Sequence, residues 1–151
     1  NAHVWPPLRT ERDRGALRQG IADGVIDAIC SDHQPHEPDA KLAPFAETEP
    51  GMSSMETLLP LCLKLVQEYG LKLSTVMNAL TVNPASILGQ PVGNLAAGHT
   101  ADIMIVDAEA EWTLDHEQMF SRGKNTAFHN WPFKGQVKHT LINGKSVYSC
   151  P

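Results

Sequence analysis

Cysteine is scarce, and Cys30, Cys62 and Cys150 are odd in number, far apart and without CxxC spacing. A disulfide framework is therefore excluded as the source of stability, and reduced thiols in a cytoplasmic protein are expected. No apolar run approaches the roughly 18 residues that a membrane-spanning helix requires. Basic residues are scattered, and a formal charge of -5 leaves no stripe that could follow a phosphate backbone. Neither a membrane nor a nucleic acid is expected as a partner. The metal-binding patterns HxH and HExxH are missing, as are internal repeats and low-complexity tracts. Residues 1–7 contain no initiator methionine and no signal-peptide pattern, and read as the middle of something longer.

What is present is an ordinary globular composition, 42% hydrophobic and 19% charged over 151 residues, enough to bury a core. The apolar period changes along the chain. Thr10, followed by Glu11 and Asp13, predicts a capped helix running to about Gly20 or Asp23. The short apolar run at 26–30 reads as a strand buried on both faces, as in a parallel sheet. A proline-rich loop follows over 37–52, long enough to be functional or mobile. Met55, Leu58, Leu59, Cys62, Leu65 and Val66 keep helical spacing over 54–69, closed by Gly70. A second helix is expected over 73–80 with Ser74 as its cap, and a third short one opens at Asn83-Pro84 and ends before Gly89. Beyond Gly98 the pattern turns to strands: 101–107, then a hairpin over 136–148 around Asn143-Gly144. The fold class is α/β, with a boundary near residues 90 to 98.

The polar stretch "ICSDHQPHE" directly follows the apolar run. In α/β folds, residues just beyond the C-terminal end of a strand line the active site, and Asp32 holds that place. A carboxylate there can ligate a divalent ion and exchange a proton with an attacking water. The alternative is a turn-capping aspartate among solvated histidines, and spacing alone does not separate the two. The dispersed His99, His116, His129 and His139 are assigned no ligand role. Trp112, Phe128 and Trp131 are expected to pack between the helical and strand regions.

The segment "SDHQPHEPDAKLAPFAETEPGMSSMETLLPL" resembles the signature of class I dihydroorotases, and the preceding "NAHVWPPLRTERDR" is similar to that family's Pro-Pro-Leu-Arg segment. "LTVNPASILGQPVGNLAAGHTADIMIVD" resembles the wider cyclic amidohydrolase pattern, and "SRGKNTAF" a late dihydroorotase segment. The resemblance implies the C-terminal part of an amidohydrolase (β/α)8 barrel over 1–90 and part of a small β-sandwich over 91–151. It implies zinc, with Asp32 as a metal ligand and as catalytic base and acid. His36 would hold the substrate carboxylate and Gly51 would let the backbone approach the pyrimidine ring. The substrate pair would be dihydroorotate and N-carbamoyl-aspartate, in a homodimer or a complex with aspartate transcarbamoylase. The family's other metal ligands are expected N-terminal to Asn1, so the segment by itself is expected to be inactive.

Departures from the family pattern point elsewhere. Trp5 stands where catalytic members usually have a substrate-binding asparagine, Gln34 where alanine is common, and Thr48 and Ser54 replace alanine and glycine. These variants are compatible with a non-catalytic dihydroorotase-like scaffold of aspartate transcarbamoylase. A hydantoinase, dihydropyrimidinase or allantoinase is the remaining alternative.

Overall fold

Thr10 sets the first element in place. Its hydroxyl accepts from the Asp13 amide at 3.3 Å while the Asp13 carboxylate accepts the Thr10 amide at 3.0 Å, the reciprocal capping box anticipated for α1 (Glu11–Ala22). These bonds from Thr10 hold the Asp13 carboxyl below its ordinary range. The computed structural model describes residues 1–150.

Beyond α1 the expectation of a buried strand at 26–30 is corrected. The segment joins no sheet; the Ile29 amide donates to Ala79 O at 2.9 Å, and the nearest ladder contact is a single parallel bridge between His33 and Met52. Val25 is 76% exposed and Cys30 is exposed as well. An apolar sequence favours a parallel strand only when neighbours satisfy both edges, and no strand among the described residues lies beside this one.

The loop over 37–52 contains two short 3-10 turns, Pro38–Lys41 and Phe45–Glu47. Helices α2 (Met55–Gln67), α3 (Leu73–Leu80) and α4 (Val82–Ile87) follow. The cap of α3 is Lys72, which makes no side-chain bond, so Ser74 lies inside the helix rather than before it. Likewise α4 starts at Val82, ahead of Asn83-Pro84, and Asn83 Nδ2 donates back to Asp27 O at 2.9 Å. In both helices the cap lies two residues before the one expected, at Lys72 and at Thr81, the scale on which helix boundaries ordinarily shift.

The strand region is a three-stranded antiparallel sheet in the order β1 (Ile103–Thr113), β2 (Pro132–Ile142), β3 (Lys145–Ser149). Asn143 and Gly144, at φ +50° and +74°, make the tight turn between β2 and β3 that their sequence predicts. β1 runs further than expected because its pairing with β2 resumes after an irregularity: Asp107 faces Gln136, and Glu111 then faces Lys134. Helix α2 docks at that irregularity. A Cβ on Gly135 would lie 2.4 Å from Leu63 Cδ1, so only glycine lets α2 approach β2 this closely. Gln67 adds a bond to Ala108 O at 3.2 Å.

Leu114, Met119 and Phe133 form the buried apolar cluster, with Leu61 of α2, Trp112 and Phe128 packed against it. Trp112 and Phe128 thus lie between helix and sheet, as expected, whereas Trp131 is 45% exposed and stands outside the cluster. Full burial of a side chain such as Phe133 is worth about 1.5–3 kcal/mol. Cys62, on the inner face of α2, is buried, which pushes its thiol up to about 11. No helix among the described residues is long and apolar enough to cross a membrane.

Candidate active site

The residues singled out by sequence converge on one loop cluster, built from segments 31–36, 48–54 and 121–126. Asn125 is its centre. Its Oδ1 accepts the His36 amide at 2.8 Å, its Nδ2 donates to Gln34 O at 3.0 Å and Gly51 O at 3.3 Å, and its carbonyl accepts the Ser53 amide at 3.1 Å. Asn125 is 6% exposed and Ser53 fully buried, so these bonds replace water entirely. Ser53 Oγ donates to Gly123 O at 2.5 Å, and Glu56 accepts the amides of Phe120 and Ser121, both at 3.1 Å. Sequence reasoning matched the segment "SRGKNTAF" to a family but gave Asn125 no role; an amide side chain inside a matched motif was the available signal, and its burial was visible only in the structure.

Asp32 directly precedes His33 on this cluster, with its backbone at φ +43° and its side chain exposed. It lines neither the cleft of about 410 Å³ between α2 and the sheet nor the one of about 490 Å³ beside Arg18 and Tyr69. The next residue has a structural task. His33 Nδ1 accepts the amides of Ser54 and Met55 at 3.1 and 3.2 Å, capping the start of α2, which leaves its proton on Nε2.

His36 turns its ring toward the loop, where Nε2–H donates to Pro50 O at 2.9 Å. With that donor committed, a carboxylate on the other side of the ring meets Nδ1, which is a donor only when the imidazole is doubly protonated. Gly51 adopts φ +118°, and a Cβ there would lie 2.5 Å from Gln34 Oε1, so the Gln34 side chain covers the face that glycine leaves open. The Gly51 amide donates to His3 O at 2.8 Å, which brings the segment carrying Trp5, itself 71% exposed, to the edge of the same loop. Lys41 Nζ donates to Gly51 O at 2.8 Å and to Glu49 O; burial lowers its pKa while Glu49 opposes that shift.

As for metal ligands, Asp32 belongs to no group of three potential donors among the described residues; the group that exists is Asp115, His116 and His129. The two histidines that seemed dispersed in the sequence have ring centroids 3.9 Å apart. Backbone pairing of Leu114 with Asn130 and Trp131, at 2.8 and 3.0 Å, brings them together.

Comparison with known proteins places the chain in a family. Residues 6–147 match the Amidohydrolase family. The chain is 49% identical over 142 residues to a dihydroorotase-like protein of Pseudomonas aeruginosa, covering 94% of this chain and 33% of that protein. It is 43% identical over 148 residues to a dihydroorotase of Syntrophotalea carbinolica, covering 98% and 35%. The solved L-hydantoinase (dihydropyrimidinase) of Arthrobacter aurescens superposes with a TM-score of 0.89 at 28% identity, over 97% of this chain and 34% of that one. The chain thus spans about a third of the length of the curated relatives it matches.

Proposed function

The chain belongs to the amidohydrolase family, and from that premise we propose that it forms part of a dihydroorotase, reversibly closing N-carbamoyl-aspartate to dihydroorotate in pyrimidine synthesis. The observation that carries the reading is 43% identity to a dihydroorotase over nearly the whole chain, spanning the loop cluster that presents Asp32. In this reading residues 1–90 belong to the barrel and 91–151 to the small β domain, the protein works in the cytoplasm, and it assembles as a homodimer or with aspartate transcarbamoylase.

Family members are typically metal-dependent, and zinc would polarise the amide carbonyl and lower the pKa of the attacking water. Asp32 fits such an ion as one oxygen ligand, because its carboxylate is exposed and lies on a backbone held on one side by the bridge of His33 to Met52 and on the other by the Ser54 hydroxyl, which donates to Ser31 O at 2.6 Å. The same carboxylate would take the proton from the attacking water and return it to the departing amide nitrogen. His36, anchored through Asn125 and Pro50, would bind the substrate carboxylate as the imidazolium, and Gly51 would bring its backbone toward the ring.

The test uses the full-length enzyme. Asp32→Asn should lower kcat by about 10²–10⁴-fold, the usual contribution of a positioned acid–base group, without shifting the thermal midpoint. Activity retained within threefold would remove Asp32 from the chemistry. A second reading, a non-catalytic scaffold, is favoured by the Gln34 side chain lying over Gly51 and by the indole of Trp5 at the loop edge. Trp5→Asn separates the two: activity or ligand affinity should rise if a working metal site lies beneath, and stay absent in a scaffold. Turnover of hydantoin or dihydrouracil in preference to dihydroorotate would instead move the protein toward its hydantoinase neighbours.

A further inference from the structure

The clustering of Asp115, His116 and His129 has no task in the chemistry described so far. One donor atom from each residue lies within 4.8 Å of the others. His116 Nε2 stands 2.9 Å from Glu117 Oε1, so that nitrogen carries the proton and Nδ1 holds a free lone pair. That Nδ1 is buried and has no hydrogen-bond partner among the described residues. A buried acceptor without a donor is costly, and a cation is the partner that satisfies it without a proton.

The surroundings fix the other two donors. Asp115 Oδ1 accepts the Glu117 amide at 3.0 Å and Oδ2 accepts Gln118 Nε2 at 3.2 Å, which orients the carboxylate and leaves a lone pair on each oxygen. His129 Nδ1 accepts only a long bond, 3.3 Å from the His116 amide, and its exposed ring is free to turn. The nearby Lys124 ammonium is engaged by the carbonyls of Glu117 and Met119, at 3.3 and 2.6 Å. Buried Leu114 and Met119 hold the two ends of the Asp115–Gln118 segment.

We propose that Asp115, His116 and His129 bind a divalent transition ion of the zinc class in the β region. Two imidazoles and one carboxylate suit such an ion, and they leave a fourth tetrahedral position for water. With bonds of about 2.0–2.1 Å the ligands would stand roughly 3.3 Å apart, so rotation of the exposed His129 ring closes the set. Glu117, bonded to the far nitrogen of His116, is a positioning residue that fixes the tautomer and raises ligand basicity. The site is independent of the reading given to Asp32.

Equilibrium dialysis of the chelator-stripped full-length protein against Zn²⁺, followed by metal analysis, tests it. His129→Gln should remove one zinc equivalent, and Glu117→Gln should weaken that equivalent by about tenfold to a hundredfold. His99→Gln, on another exposed segment, should leave it unchanged; because the readout is the difference between the wild type and His129→Gln, any zinc held near Asp32 contributes equally to both, which separates failure here from failure of the dihydroorotase reading. Co²⁺ in place of Zn²⁺ should give a four-coordinate ligand-field band that His129→Gln abolishes. Equal stoichiometry and affinity in the wild type and His129→Gln would overturn the proposal, as would an equal loss in His99→Gln.

Discussion

Around Phe133, order comes from burial: Leu114, Met119 and Phe133 are 3 to 6% exposed and meet Leu61 of α2 through apolar contact. Around Asp32, order comes from directed bonds, with the Asn125 side chain joining His36, Gln34 and Gly51. The difference follows from what each region presents. The Asp32 cluster leaves a carboxylate exposed and an imidazole half-buried, groups that an apolar core would not accept unpaired, so its backbone is held by a buried polar network in which every bond is specific. The sheet has no such demand and tolerates non-directional packing.

Phe133→Ala should have the largest effect on stability, about 3–5 kcal/mol, because it empties the centre of the cluster. Urea denaturation of the full-length protein measures it, and a loss below about 1 kcal/mol would mean that α2 and the sheet do not depend on that core. Asn125→Ala should cost less, roughly 1–3 kcal/mol, the penalty for the one fully buried bond to Gly51 O, since the half-buried His36 and Gln34 partners can turn to water, but it should act more locally. Hydrogen exchange should speed up at the His36 and Ser53 amides while the β1–β2 ladder keeps its protection. Equal loss of protection in the ladder would merge the two regions into one cooperative unit and erase the contrast.

The smallest effect concerns the start of α1. Asp13 has its folded-state pKa lowered by bonds from Thr10, so the stabilisation is present above the unfolded value of 3.8 and disappears as pH falls through the lower folded value. Amides in the first turn of α1 should therefore exchange faster in that acid window, with no matching change at the Asn125 network. Thr10→Ala should remove this pH dependence; if it persists, another group sets it.

Some of the molecule was legible from neighbours in the sequence. The Thr10 box, the helix over 55–67 and the Asn143-Gly144 turn depend on contacts within a few residues, so the local chemistry was sufficient. The segments "SDHQPHE" and "SRGKNTAF", which carry the resemblance, lie together, since the Asn125 side chain bonds His36 and Gln34. What each side chain does there was not legible. His33 proved to be a helix cap, Gln34 lies over Gly51, and Asn125 holds the loop together.

The amino-acid sequence by itself determined the elements whose hydrogen bonds close within one turn, because those depend on rotamer and backbone preferences that no distant residue has to supply. Tertiary structure decided the rest. Residues 26–30 have the composition of a strand yet join no sheet among the described residues, since a ladder needs neighbouring strands that the segment cannot itself supply. Pairing of Leu114 with Trp131 turned two histidines 13 residues apart into one cluster, and a bond spanning 89 residues fixed His36. Such contacts repay a loop-closure entropy only when the whole chain has packed, and a reading of local pattern cannot weigh that balance.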